Sequence, residues 1–203
     1  METPQVLLDH HLRALRLPTF LREYDKVAQQ CAAEGVDYPR YLLRLSEQEL
    51  LDRITGLLGG RVAEEIYFQQ ITSGAQDDLE KATHIAQVMV CELGMSKKLG
   101  HLTFGKKDRQ VFLGRDLMRE RDYSEQTALL IDEEVRRIVD SCYERAQKIV
   151  KDNKDNLRKL SERLLECETL DGDEARRIVG LPEIKRHDLT PNTPADATQA
   201  QSS

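Results

Sequence analysis

The residues best placed to do chemistry begin with Asp77 and Asp78, adjacent carboxylates in Ala75-Gln76-Asp77-Asp78 at the start of an expected helix. Acids at that position either complement the helix dipole at the surface or lend an oxygen to a metal. Glu80 and His84 follow at i, i+4, a spacing that suits a shared metal or a solvated ion pair. His10 and His11 are neighbours on another expected helix and project about 100° apart, which makes them poor joint ligands. With His101 and His187 the chain has five histidines, and none of them forms an i, i+4 pair.

Two further patterns resolve toward structure. Gly100 to Lys107 reads GHLTFGKK, one residue from the phosphate-loop pattern G-x-x-x-x-G-K-[ST]. Lys107 stands where the magnesium-holding hydroxyl belongs and the intervening residues are apolar, so a short strand ending in an exposed basic turn is expected instead. Cys31, Cys91, Cys142 and Cys167 lie far apart with no C-x-x-C pair. Buried reduced thiols, with Cys91 and Cys142 on apolar helix faces, fit better than a four-thiolate zinc site.

The elements that must carry these groups are helices. Leu51, Ile54, Leu58, Val62 and Ile66 share one helical face. Gly59 and Gly60 interrupt it at about 1 kcal/mol each, which suggests that another backbone packs close there. Arg61 with Glu64 and Glu65 suits a helix-surface pairing. The acid pair opens the next helix, where Ser73 and Gln76 fit a capping box. Leu79, Ala82, Ala86, Met89, Val90 and Leu93 form its apolar face, and Gly94 stops it.

Upstream, Leu7, Leu8, His11, Leu12 and Leu15 make a first helix ended by Leu17-Pro18, and Phe20, Tyr24, Val27, Ala28 and Cys31 a second closed by Gly35. Asp37 precedes a third, with Pro39 in its first turn. Downstream, residues 111–122 read as a loop. A long helix from about Ser124 to Asn153 has Ala128, Ile131, Val135, Ile138, Cys142, Ala146 and Ile149 as its seam, with Glu133, Glu134, Arg136 and Arg137 outside. Leu157, Leu160, Leu164 and Leu165 lie on a shorter helix, and Thr169 to Val179 forms a last turn or two. Beyond Pro182 the composition of Thr, Pro, Ala, Gln and Ser predicts a disordered tail.

The expected fold is therefore mainly α: a bundle of amphipathic helices with at most a short strand pair, a small N-terminal helical hairpin and a disordered C-terminal tail. In 203 residues, 33% charged and 5% aromatic with no Trp, this balance favours long helices over a sandwich or barrel. A net charge of −6 argues against nucleic acid as the main partner. No apolar run of about 18 residues and no basic-then-apolar leader is present, so a cytoplasmic protein is expected.

The runs LLGGRVAEEI, TSGAQDDLEKAT, GMSKKLGHLTFG, FLGRD and YSEQTALLIDEEVRRIV closely resemble, in order, the peptidase domain of FtsH, the bacterial ATP-dependent zinc metalloprotease family. The resemblance covers about residues 46–180. Residues 1–53, with LLDHHLRALRLPTFLREYDKVAQQCAAEGVDYPRYLLRL, resemble the N-terminal segment of IstB-type helper ATPases of transposition. YLLRLSEQELLDR suits either family, so the join reads as a fusion. The expected domains are 1–45 (IstB-like helical segment), 46–181 (FtsH-like peptidase domain) and 182–203 (tail).

The resemblance implies metalloendopeptidase ancestry, protein substrates, zinc and a hexameric ring, with Asp78 matching the family's third zinc ligand. The other ligands are the two histidines of H-E-x-x-H, whose glutamate activates the water. This sequence contains no H-E-x-x-H, and where the family has its zinc-binding helix it has the IstB-like segment. The family's ATPase module and membrane anchor are likewise not found, so no ATP site is expected. The chain alone is expected to be inactive, with zinc only in the intact family and homo-oligomers or FtsH-type subunits as partners. The competing expectations are a non-catalytic interaction module that binds FtsH or IstB-like partners, and a transposition accessory acting through residues 1–53. Seven bases against nine acids in that segment weaken the last.

Overall fold

The structure, a computed structural model, describes residues 4–68, 74, 76–100, 102–104 and 123–181. Ser73 of the expected capping box, His101, residues 105–107 of the phosphate-loop-like run, the whole loop at 111–122, His187 and the tail lie outside the described residues. The described chain is helical, and no strand occurs among its residues. Leu102–Phe104, where a short strand was expected, carries no strand; Phe104 N–H donates to the Cys91 carbonyl at 2.8 Å.

Helix α1 (Pro4–Ala14) ends as Arg16 enters the left-handed region at φ 55°, ahead of Leu17-Pro18. Helix α2 (Pro18–Glu34) stops at Gly35, whose φ of 65° lets Val36 N–H reach back to the Cys31 carbonyl at 2.8 Å. Asp37 caps α3 (Tyr38–Phe68) by accepting the Arg40 N–H at 3.0 Å. This 31-residue helix runs unbroken through residues 45 and 46, so the proposed join lies inside one helix.

The core forms where α3 meets α4 (Gln76–Gln87) and α5 (Glu125–Asp152). Ile54, Leu58 and Val62 of α3 pack with Ala82, Ala86, Met89 and Val90, and with Ile131, Val135, Ile138, Cys142 and Ala146 of α5. Ile54, Leu58 and Val62 are completely or almost completely buried, each contributing about 1.5–3 kcal/mol of hydrophobic stabilisation. Alanines on α4 let that helix lie close without displacing the larger side chains of its neighbours.

Four expectations about faces are corrected. Among the described residues, a Cβ added at Gly59 or Gly60 would meet nothing within 4 Å, so no described backbone packs close there and the glycines cost helix propensity without a steric return from them. Leu93 is half exposed because α4 passes into a π-helical turn, Val88–Glu92, whose wider winding rotates the following residue off the α-helical face. Ile149 is also about half exposed, and beyond Ala146 it is Val150 that packs, partly buried, against the core. Glu134, placed outside by its charge, is only 1% exposed.

The chain divides into two compact units, residues 1–152 and 153–203. In the second, α6 (Lys154–Cys167) packs against α7 (Gly172–Ile178), and Asn156 Nδ2 donates to the Val179 carbonyl at 3.4 Å. Helix α6 buries none of its residues, and Leu165 is largely exposed. No described helix is long and apolar enough to cross a membrane.

Candidate functional site

Asp77 and Asp78 lie in the first turn of α4, where the free N–H groups of a helix start favour negative charge. Their neighbour one turn on is Lys81. Its Nζ lies 2.5 Å from Asp77 Oδ2 and 3.9 Å from Asp78 Oδ1. The hydrogen bond to Asp77, then the attraction of both acids, raises the Lys81 pKa above its ordinary value. Asp78 is about half exposed and more loosely held than Asp77, so its carboxylate can turn toward another cation. The buried Ala82 and Ala86 follow one and two turns after Asp78 on its own side of α4 and hold the helix on the core, so Asp78 stands at the end of the buried face while Asp77 turns outward.

The other sequence candidates are dispersed. Glu80 accepts a hydrogen bond from Gln76 Nε2 at 3.1 Å, one turn back on the exposed side of α4. His10 and His11 have ring centroids 5.4 Å apart with planes tilted by 57°. Glu65 accepts the Tyr143 hydroxyl of α5. The four cysteines are free thiols; burial pushes the Cys91 and Cys142 thiols up, which favours the protonated, unreactive form. Among the described residues no group of three or more His, Cys, Asp or Glu side chains is arranged to hold a metal. Zinc takes four ligands in structural sites and three plus water in catalytic ones. One carboxylate at the head of α4 does not meet that need, so the described residues by themselves do not fit a bound zinc.

Sequence reasoning missed two polar clusters. In the first, Glu134 is surrounded by donors: Ser96 Oγ at 2.9 Å, Arg137 Nε and Nη2 at 3.1 and 3.0 Å, and Lys98 Nζ at 3.5 Å. The Arg137 hydrogen bonds hold the Glu134 carboxyl below its ordinary range against the opposing effect of burial, and Ser96 and Lys98 add to this. A shallow groove beside Lys98, Arg136 and Arg137 also carries Glu133, Asp140 and Glu144, so neither sign of charge prevails in it. The spacing could have revealed Glu134, which stands three residues after Ile131 and four before Ile138, on the buried stripe.

The second cluster lies where α2 meets α3. Asp52 accepts from Thr19 Oγ1 at 2.8 Å, Arg22 Nη2 at 2.6 Å and Gln48 Nε2 at 3.3 Å, and pairs with Arg145 Nη1 of α5 at 2.6 Å. One turn away, Glu49 accepts the backbone N–H groups of Thr19 and Phe20 at 3.0 and 3.4 Å. These belong to the open first turn of α2, which Leu17 cannot cap with its own side chain. No local signal announces partners this remote in sequence.

An α-helical body with an acid pair opening its second core helix is the setting in which comparison with known proteins becomes informative. The Peptidase family M41 profile matches residues 36–178 of this chain, which takes in Asp78 and both missed clusters apart from Thr19, Phe20 and Arg22. The chain belongs to peptidase family M41. The ATP-dependent zinc metalloprotease FtsH of Thermotoga maritima is 54% identical over 140 residues, 69% of this chain and 23% of that protein. The protein of the same name from Bacillus subtilis is 50% identical over 142 residues, covering 68% and 22%. That of Myxococcus xanthus is 45% identical over 155 residues, covering 75% and 24%. The chain thus matches less than a quarter of the length of these relatives.

Proposed function

We propose that this chain is a peptidase-domain module of FtsH-type zinc metalloprotease descent that does not cleave peptide bonds or hydrolyse ATP on its own. Asp78 takes the part of a zinc ligand whose histidine partners this chain does not supply. One observation carries the reading. Within a chain about half identical to zinc metalloproteases over some two thirds of its length, the acid pair is present while the five histidines include no i, i+4 pair. A lone, half-exposed carboxylate shared with Lys81 is a weak zinc ligand in water. Residues 1–45 form an IstB-like segment fused ahead of the peptidase module at 46–181, the module itself is cytoplasmic, and protein substrates belong to the whole enzyme rather than to this module.

The test is zinc content by elemental analysis after dialysis, paired with casein hydrolysis in added Zn²⁺. Well under one zinc per chain and no hydrolysis are expected. One zinc per chain would overturn the incomplete site, and turnover abolished by a chelator would overturn the inactivity.

A second reading, a non-catalytic module that associates with copies of itself or with FtsH-type subunits, draws on α6. Leu164 and Leu165 are exposed there, on a helix without a buried residue. Light scattering after size exclusion should then give a mass above that of one chain; a strict monomer that retains no FtsH-type subunit would sink this reading.

A further inference from the structure

We propose that Glu49 and Asp52 form a two-carboxylate latch that holds the α1–α2 hairpin on α3 as a separately releasable unit. The hairpin lies upstream of the residues matched to family M41, whereas both latch carboxylates lie within them. Its attachment to α3 runs through α2. Helix α1 packs on α2, and α2 packs on α3. No residue of the hairpin belongs to the main buried cluster of α3, α4 and α5. Leu12, Cys31 and Leu45 are buried apart from that cluster.

Beside this packing stands a dense set of polar bonds. Glu49 completes the first turn of α2 by accepting two backbone N–H groups, and Asp52 binds the hydroxyl of Thr19 and the guanidinium of Arg22. Arg53 Nη2 adds a bond to the carbonyl of Arg16, the residue with positive φ that turns α1 toward α2. These join the end of the hairpin far from Gly35 to one turn and a half of α3. Nearer Gly35 the Tyr41 hydroxyl donates to the Tyr24 carbonyl at 3.1 Å and Arg44 pairs with Glu34 at 2.7 Å, contacts that hold the hinge end in place. The bonds from the Thr19 and Phe20 N–H groups to the Glu49 carboxylate are charge-assisted and shielded from water, whereas the exposed Arg22–Asp52 pair counts for less.

The same geometry lets the latch open without leaving an orphaned charge. When α2 lifts away, Asp52 keeps Arg145 and Gln48, and Glu49 keeps Arg53 at 3.3 Å. Gly35, with its left-handed φ, and the short link to Asp37 supply the hinge. Opening uncovers Leu45 and frees Cys31, which in the closed state is 3% exposed with Arg44 Nη1 at 3.7 Å from its sulfur.

Cys31 therefore reports the latch, and Cys142, buried in the main core, reports global opening. The experiment is thiol labelling of the full chain, with both cysteines followed by mass spectrometry. One variant carries Glu49→Gln and Asp52→Asn. A second, altered only on the hairpin side, carries Thr19→Val and Arg22→Leu, which keeps the core untouched if the first fails to fold. In both, Cys31 should label about tenfold faster or more while Cys142 keeps its wild-type rate. Unchanged labelling of Cys31 would overturn the latch. Equal acceleration of Cys31 and Cys142 would overturn the hairpin's separate release.

Discussion

The Ser96 hydroxyl donates to Glu134 Oε2 at 2.9 Å, joining the segment after the π-helical turn to the middle of α5 across 38 positions of sequence. Ser96 Oγ also accepts the Leu99 N–H at 3.3 Å, so one side chain shapes its own turn and ties it to the core. Removing Glu134 leaves the Ser96 hydroxyl without its buried acceptor, whereas Arg137 and Lys98, both more than half exposed, regain water. Glu134→Ala should therefore cost about 1–3 kcal/mol, below the loss for a fully enclosed ion pair, and Ser96→Ala about 1 kcal/mol. Urea unfolding measures both as a shifted midpoint at unchanged slope. A Glu134→Ala protein with the wild-type midpoint would show that the cluster contributes nothing net.

The two missed carboxylates predict how stability follows pH. Arg137, with Ser96 and Lys98, holds Glu134 below its ordinary 4.5 despite burial. Burial pushes Asp52 up, but bonds from Thr19, Arg22 and Arg145 outweigh it and hold the group below its ordinary 3.8. Glu49 and Arg53 of α3 and Glu23 of α2, itself paired with Arg22 at 2.9 Å, complete the charged surroundings of Asp52. A depressed pKa in the folded state means that the unfolded chain binds protons first as the solution is acidified. The stabilisation is thus full above about pH 5 and is lost as pH falls through these ordinary values toward the depressed ones. Urea midpoints measured from pH 7 downward should fall in that window, and Glu134→Gln and Asp52→Asn should each flatten the fall. A wild-type curve that stays level to pH 3.5 would contradict both assignments.

How far the sequence was legible follows the range of the interactions. The faces of α3 and α5 could be read because 3.6-residue periodicity is local, and Ile54, Leu58, Ile131 and Cys142 are buried as that period requires. Asp37 and Gly35 were legible for the same reason, since capping is decided within one turn. Leu93 went astray because a π-turn changes the winding without changing the residue types. Glu134 was assigned by its charge although its phase placed it inward, and the donors that make its burial tolerable come from Ser96 and Lys98, far away in sequence. The start of α4 could be seen in the residue types of Gln76, Asp77 and Asp78. What their carboxylates face is decided by long-range packing, which local spacing does not encode. Asp52 shows the same division most plainly, with partners on α2 and α5 that no window around it contains.

Gly59 and Gly60 offer the cleanest test of that division, because local and tertiary arguments about them disagree. Their position in mid-helix suggested a close neighbour, yet no described residue comes within 4 Å of where each Cβ would stand, and neither has a positive φ. With no steric demand, what remains is the entropy a glycine loses on entering a helix and the backbone it exposes. Alanine at either site should raise stability by about 0.5–1 kcal/mol, and the double variant by about the sum, since both side chains would point into space. Chemical denaturation of Gly59→Ala, Gly60→Ala and the pair would show midpoints moving upward with the slope unchanged. A loss of stability in either single variant would mean that something packs against α3 in solution at this turn, and size exclusion of that same variant would then show whether the contact is with another copy of the chain.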